Sequence, residues 1–252
     1  MTVGALIFAY NNERVDYVAM AKWSAKNIER HLGIPTHIVT TGELANTNSR
    51  HFDDLGTVTW HNTNRMDAYD VSPFDQTLVL DADYVVASNQ LQTVLASSAD
   101  FTCHRRAYDV TGLQTFADLN SFGAHGMPMW WATVMMFRRS TQAKIIFDSM
   151  KMIRDNWSHY RILYNNTRAT YRNDHALSIA LNIENGHTLI TQDIPWNLAS
   201  VVPSHGLVEL EQDHYRIDFV TSDKKSRWIA LRKQDFHAMG KRHLGDIVAN
   251  NS

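Results

Sequence analysis

The chain has 252 residues and a formal net charge of −2, from 24 lysines and arginines against 26 aspartates and glutamates. That balance excludes a protein held to nucleic acid by a general excess of positive charge, and a hydrophobic content of 44% excludes global disorder. The single cysteine, Cys103, cannot form an internal disulfide, and no apolar run reaches the roughly 18 residues of a membrane helix. The sequence therefore predicts a soluble cytoplasmic protein without a signal peptide, with one domain over residues 1–252.

The first hundred residues show the alternation of strand and helix patterns that is typical of parallel sheets. An apolar run predicts a strand over Val3–Tyr10, and apolar residues at helical intervals predict a helix over Arg14–Leu32. A strand over Thr36–Thr40 completes a β-α-β unit, and a short strand is expected over Val58–Trp60. The apolar run Gln76–Leu80 is of the kind that is buried on both faces of an α/β sheet.

The second part of the chain is less regular. Residues 101–129 combine glycines with mixed polar residues and predict a long loop or short helical pieces. The last fifty residues predict three strands followed by a polar tail. The elements predicted beyond residue 129 are a strand over Thr133–Phe137, helices over Ser140–Trp157 and Asp174–Leu181, and strands over Thr188–Gln192, Leu207–Leu210, Ile217–Thr221 and Trp228–Leu231.

Two carboxylates follow the buried strand directly. Asp81 and Asp83 stand at i and i+2 where the strand ends, so both can reach one cation if the chain bends there. Ligands of α/β sheets bind beyond the carboxyl ends of the strands, and Mg²⁺ and Mn²⁺ prefer oxygen ligands. Taken alone, the triplet Asp81-Ala82-Asp83 is equally explained by two solvated aspartates in a turn.

The whole stretch Ser72–Val86, SPFDQTLVLDADYVV, resembles the core motif of nucleotide-diphospho-sugar glycosyltransferases of the GT-A fold, especially glycogenin-like enzymes. In that family the two aspartates bind Mn²⁺ and the ribose and diphosphate of the donor. The resemblance implies an α/β, Rossmann-like fold with a mixed, mostly parallel sheet flanked by helices. It also implies a nucleotide-binding half over residues 1–100, and an acceptor-binding half with a metal-ligand segment over residues 101–245.

A second resemblance lies near the C-terminus. The segment His237-Ala-Met-Gly240-Lys241 is similar to the family's H-x-x-G-x-K element, whose histidine is the third metal ligand and whose lysine meets the diphosphate. Lys241 follows Gly240 directly, whereas family members have at least one residue between them, so the resemblance supports the histidine more strongly. It implies Mn²⁺, or Mg²⁺, held by Asp81, Asp83 and His237. The alternative is a surface histidine in a polar tail.

Looser resemblances in chain order imply further donor-binding residues. Tyr10 stands where the family has an aromatic residue that stacks on the uracil ring, and Arg65 where it has a basic residue near the nucleotide. Trp196 resembles a position near the donor sugar, although an aromatic residue after Ile-Pro is more often core. The complete predicted donor-binding set is Ala9, Tyr10, Asn11, Arg65, Asp81, Ala82, Asp83, Asn173, Trp196, Asn197, Gly240 and Lys241.

The segment Arg172–Ser178 resembles the one that places a carboxylate beside the transferred sugar, just inside a helix N-terminus. It implies that Asp174 is the catalytic carboxylate while Asn173 caps the helix, and a capping role for Asp174 itself is an equal alternative. Resemblance to glycogenin-like enzymes implies retention of configuration, with Asp174 orienting or stabilising the sugar. An inverting enzyme would use such a residue as general base.

The sequence thus predicts a metal-dependent glycosyltransferase that moves a sugar from a nucleoside diphosphate, a UDP-sugar above all, to an acceptor. Glycans, proteins and modified DNA bases stay open as acceptors. One alternative is a nucleotidyltransferase acting on sugar phosphates, which normally has a glycine-rich loop after the first strand, whereas residues 11–14 contain no glycine. The other is a catalytically inactive nucleotide-sugar-binding protein, which would bind the donor without turnover.

Overall fold

A mixed sheet of five strands forms the centre of the fold, in the order β2-β1-β3-β9-β5. The structure, a computed structural model, describes residues 1–40, 64–116, 121–123, 126–166, 171–187 and 193–251. Its strands are β1 (Val3–Phe8), β2 (Thr36–Val39), β3 (Gln76–Leu80), β4 (Tyr84–Val85), β5 (Phe101–His104), β6 (Ala107–Asp109), β7 (Ser121–Phe122), β8 (Met127–Pro128), β9 (Trp131–Arg138), β10 (Leu198–Val201), β11 (Gly206–Glu211), β12 (His214–Val220), β13 (Ser226–Arg232) and β14 (Phe236–Ala238). Its helices are α1 (Tyr17–Leu32), α2 (Ala68–Val71), α3 (Leu91–Leu95), α4 (Thr141–Asp155), α5 (Trp157–Leu163), α6 (Asn173–Glu184) and α7 (Lys241–Asn250).

Four of the five central strands run in one direction. β1 pairs in parallel with both β2 and β3. β9 lies antiparallel to β3 and to β5, so β5 runs the same way as the first three strands. The predicted α/β fold with a mixed, mostly parallel sheet is confirmed. The predicted strands Val58–Trp60 and Thr188–Gln192 lie outside the described residues.

Both faces of this sheet are covered. Side chains alternate along β1, so that Ala5 and Ile7 join one apolar cluster while Leu6 and Phe8 join another. The first cluster includes residues of α1 and α7, and the second includes residues of α4 and α6. Every residue of Gln76–Leu80 is buried, as the unbroken apolar run predicts for a strand covered on both sides.

The boundaries of α1 follow from its capping residues. The helix begins at Tyr17 rather than at the predicted Arg14, because the Asp16 carboxylate accepts a hydrogen bond from the Ala19 amide (2.9 Å) and so fixes the first turn. It ends where predicted, at Gly33, which adopts a left-handed conformation with φ of 68°. Side-chain capping therefore shifts the start of a helix that the apolar spacing predicts well.

The prediction of a loop or helical pieces over residues 101–129 is wrong for the described part of that segment, which contains four short strands. β5 pairs with β9 at the edge of the central sheet, and β6 pairs in parallel with β10. β7 and β8 form a two-stranded sheet of their own. Three of these strands have two or three residues, too few to show an alternating pattern, and pairing partners decide their conformation.

The C-terminal segment is not the predicted polar tail. It forms strand β14 and helix α7, and Leu244, Ile247 and Val248 of α7 are buried. Their spacing gives one apolar face, which packs in the same cluster as α1. The predicted helix Ser140–Trp157 ends slightly earlier, as α4 at Asp155, and Trp157 instead begins the separate helix α5.

Besides the central sheet and the β7-β8 pair, the described residues form two further sheets. The last three predicted strands are confirmed as the antiparallel sheet β11-β12-β13. A four-stranded sheet has the order β4-β14-β10-β6. Within it β14 lies between β4 and β10, with His237 opposite Tyr84 on one side and Ser200 on the other. This register brings a residue near the C-terminus beside the turn that follows β3.

The turn before β3 is locked against β1. A Cβ atom on Gly4 would lie 2.4 Å from the ring of Phe74, so only glycine lets this ring pack there. We expect Gly4→Ala to lower the free energy of unfolding by about 1–3 kcal/mol, because the overpacked ring must move. Gly245 is the matched control, since a Cβ there meets only Met20 at 3.6 Å and α7 gains helix propensity. Gly245→Ala should raise stability by about 1 kcal/mol in the same denaturation experiment, and a stable Gly4→Ala variant would contradict this account.

Candidate active site

Three side chains that could hold a metal ion meet at the carboxyl end of β3. Asp81 follows the strand, Asp83 precedes β4, and His237 lies in β14, with one ligand atom of each within 4.8 Å of the others. The Nε2 atom of His237 lies 3.2 Å from Oδ2 of Asp83, a residue 154 positions away. The Ala238 amide donates to the Asp83 carbonyl (2.9 Å), so backbone pairing fixes this arrangement. The structure thus brings together the three predicted metal ligands.

The chemistry of this cluster suits a divalent cation. His237 is 8% exposed, and burial lowers its pKa, which favours the neutral imidazole that a metal requires. Its buried Nδ1 atom has no hydrogen-bond partner among the described residues. Burial by itself raises the pKa of Asp81, but the Arg65 guanidinium brings it below its ordinary value. An ionised carboxylate and a neutral imidazole beside a second aspartate fit Mn²⁺ or Mg²⁺.

Two cationic side chains border the cluster. Lys241, the first residue of α7, pairs through Nζ with Asp83, and Arg65 pairs through Nη2 with Asp81. Arg65 is 2% exposed, so its charge lies inside the protein. Lys241 reaches the cluster although it follows Gly240 without the spacing that the related motif has. Both predicted donor-binding cations therefore lie at the metal-ligand cluster.

The main chain of β9 links Asp174 to this cluster. The Asp81 amide donates to the Thr133 carbonyl (3.0 Å), and the next residue back, Ala132, donates its amide to Oδ1 of Asp174 (2.9 Å). The Ala132 carbonyl accepts a hydrogen bond from Nη1 of Arg65. Asp174 and Asp81 are therefore held at adjacent positions along one strand.

The carboxylate of Asp174 does not serve as a helix cap. Its Oδ2 pairs with Nη2 of Arg172 (2.8 Å), and its Oδ1 accepts the Ala132 amide rather than an amide of α6. The prediction that Asn173 caps α6 is wrong, because Arg172 holds the N-cap position and makes no side-chain cap bond. Asn173 is buried and accepts a hydrogen bond from the Tyr171 hydroxyl (3.4 Å). Sequence reasoning missed the contribution of Arg172, although it precedes Asp174 by only two positions.

The residues predicted to bind the base lie at the end of β1. Ala9 is fully buried, and the Asn11 side chain accepts a hydrogen bond from the Val18 amide (2.9 Å). Tyr10 is 8% exposed and packs in the second apolar cluster, so little of its ring is open to a base. Tyr17, which the sequence did not single out, lies close enough to Asp81 for that charge to add to burial in raising its pKa. Its position at the start of the helix after β1 is the signal that could have found it.

The remaining predicted residues are placed around the cluster and beside a pocket. Ala82 is buried in the turn between the two aspartates, and Gly240 precedes α7, where a Cβ would make only ordinary contacts of 3.6 Å. Trp196 and Asn197 line a pocket of about 340 Å³. Another pocket, of about 670 Å³, lies between α1, β11 and α7, and none of the predicted site residues lines it.

No helix in the described part of the chain is long and apolar enough to cross a membrane. Sequence comparison finds no matching family model and no matching curated protein.

Comparison with solved structures finds several glycosyltransferases. The chain is similar to the glycosyltransferase GlyE of Streptococcus pneumoniae TIGR4, with 13% identity and a TM-score of 0.42 over 77% of this chain and 46% of that one. It is similar to the galactosyltransferase LgtC, with 15% identity and a TM-score of 0.45 over 71% and 70% of the two chains. It is also similar to mouse xyloside xylosyltransferase 1, with 13% identity and a TM-score of 0.44 over 80% and 88%. The chain thus spans less than half the length of the GlyE chain.

Proposed function

We propose that the protein is a metal-dependent glycosyltransferase that transfers a sugar from a UDP-sugar, with retention of configuration, to a glycan, a protein or a modified DNA base. The observation that carries the proposal is the convergence of Asp81, Asp83 and His237. Two of these residues belong to the L-D-A-D run and the third to the C-terminal motif, and the fold brings the two motifs into contact. A chance pair of turn aspartates would not account for the buried histidine beside them.

The cluster offers the charge that cleavage of a sugar–phosphate bond needs. A divalent ion bound by the three ligands supplies a Lewis acid that stabilises the negative charge left on the diphosphate. Lys241 and Arg65 already lie beside Asp83 and Asp81, so they add positive charge at the same place without rearrangement. Together these groups favour the leaving nucleoside diphosphate over the intact donor.

Asp174 is the residue that we assign to the transferred sugar. Its carboxylate is fixed by the Ala132 amide and by Arg172, so it presents a negative charge at a defined position next to the metal ligands. A fixed negative charge stabilises the positive charge that develops on the sugar ring during cleavage. Because both oxygens already accept hydrogen bonds, the geometry supports orientation and charge stabilisation better than proton removal from the acceptor.

The turn after β1 favours glycosyl transfer over nucleotidyl transfer. Residues 9–16 contain no glycine, and the side chains of Asn11, Asn12 and Asp16 accept hydrogen bonds from nearby backbone amides. A glycine-rich phosphate loop presents free amides instead. An inactive nucleotide-sugar-binding protein could have the same turn, and only a measurement of turnover distinguishes it from an active enzyme.

The proposal is tested by incubating the purified protein with a panel of nucleotide sugars in Mn²⁺ or in EDTA, and by measuring both binding and release of nucleoside diphosphate. We expect release from a UDP-sugar, its loss in EDTA and its recovery on adding excess Mn²⁺. Binding without release under every condition would indicate the inactive binding protein. Absence of binding to every nucleotide sugar would overturn the proposal.

A further inference from the structure

The pocket beside Trp196 is lined by an unusual set of side chains for a site that holds neutral sugars. Its polar lining includes Arg105, Arg106, Asp193 and Asn197, and Trp130 and Trp196 contribute aromatic walls. Its volume of about 340 Å³ lies at the lower end of the range for small-molecule sites, and suits one sugar unit rather than a whole nucleotide sugar.

The pocket lies close along the chain to the proposed catalytic groups. Going backwards along the chain from Thr133, the backbone contacts Asp81 at Thr133 and Asp174 at Ala132, and Trp130 then lines the pocket. With roughly 3.3 Å per residue in an extended chain, these three places span about 10 Å. A donor sugar held at Asp174 would therefore lie about two residues along the chain from the pocket wall, close enough for an acceptor in the pocket to reach it.

The charges in the pocket are unbalanced. Its lining includes two arginines and one carboxylate, that of Asp193. Arg105 is held in place, since Nη1 donates to the Met129 carbonyl (2.9 Å) and the guanidinium lies 5.3 Å from the centre of the Trp130 ring. The Arg106 side chain is exposed. One held and one exposed arginine thus line the same pocket.

We propose that this pocket binds the acceptor and that the acceptor carries an anionic group, a carboxylate or a phosphate, which pairs with Arg106 and Arg105. The inference rests on the proposed function. Guanidinium groups bind such anions through paired hydrogen bonds, and the partly buried Trp196 offers a flat surface to a sugar ring. In the transfer, the acceptor hydroxyl oxygen bonds to the anomeric carbon as the bond from that carbon to the diphosphate breaks. The diphosphate leaves with the electron pair and takes up the hydroxyl proton.

The test compares acceptors that differ only in the group at C6: a hexose glycoside, the corresponding uronic acid glycoside and the corresponding hexose glycoside 6-phosphate. We expect the anionic acceptors to show at least about tenfold higher kcat/KM than the neutral one. Arg106→Gln should reduce that anionic-to-neutral ratio by about tenfold, acting on KM, and Arg106→Lys should recover part of it. Arg227→Gln, at an exposed position of β13, is the matched control and should leave the ratio unchanged.

Which anionic acceptor is preferred distinguishes a carboxylate from a phosphate as the recognised group. Equal use of neutral and anionic acceptors, or an equal loss on all three acceptors in Arg106→Gln, would overturn the inference while leaving the proposed function intact. Failure of the wild-type protein to bind or cleave any nucleotide sugar would instead overturn the proposed function, and this inference with it.

Discussion

Replacing Asp83 by asparagine is expected to lower metal-dependent release of nucleoside diphosphate by about a hundredfold or more. The Asp83 carboxylate contacts both His237 and Lys241. The residue is only 4% exposed, so bulk water has little access to take over the role of the lost carboxylate. Asparagine keeps the shape of the side chain but removes the charge that a hard divalent cation prefers. The substitution should therefore weaken both the binding of the metal and the stabilisation of the leaving diphosphate.

Two measurements separate this loss from misfolding. Mn²⁺ should raise the unfolding temperature of the wild-type protein, because a ligand that binds the folded state raises its stability. The same Mn²⁺ concentration should leave the unfolding temperature of Asp83→Asn unchanged. Asp148→Asn removes an exposed carboxylate on α4 and serves as control. A variant at position 83 with wild-type turnover and wild-type dependence on Mn²⁺ would show that this carboxylate is not a metal ligand.

The second large effect is expected at Asp174. Asp174→Asn should lower kcat by about 10²- to 10⁴-fold, because the amide oxygen can still accept the Ala132 hydrogen bond while the negative charge at the proposed sugar position is lost. Mn²⁺-induced stabilisation should persist, since Asp174 lies outside the three-ligand cluster. Arg172→Gln should give a smaller loss, because it releases only one of the two contacts that hold the carboxylate.

The readouts are kcat and KM for the donor, together with the Mn²⁺-induced shift in unfolding temperature. Glu184→Gln, at the other end of α6, removes a carboxylate that pairs with Ser149 (2.7 Å) and is the control for a change in that helix. If Asp174→Asn retained full kcat, the role of the residue would be confined to holding β9 against α6.

The sequence predicts the parts of the fold that depend on local patterns. The buried strand Gln76–Leu80, the helix ending at Leu32 and the last three strands follow from apolar spacing and turn residues alone, and so does the position of Asp81 and Asp83 at a strand end. The short strands between residues 101 and 129 and the strand around His237 depend on partners far along the chain, which local patterns do not reveal.

The candidate site divides in the same way. The proposed metal ligands and Lys241 come from motifs that carry their own signal. The pairing of Arg65 with Asp81 and the approach of Tyr17 to Asp81 arise only when distant segments of the chain pack together. Tyr10 is a residue whose orientation the motif does not predict. A residue at the end of a strand can face the ligand or the core, and here the ring lies in the core, which the sequence alone does not decide.

Ala132 has a consequence for how this site can be studied by mutation. It reaches Asp174 through its amide and Arg65 through its carbonyl, and its methyl side chain takes part in neither bond. Alanine-type scanning at position 132 would therefore test only the space around the side chain, because every residue except proline retains both main-chain groups, and proline also adds a ring. Replacing the amide that precedes Ala132 with an ester by chemical synthesis removes only the N–H donor. That single-atom change isolates the bond that fixes Asp174, which no codon change can do.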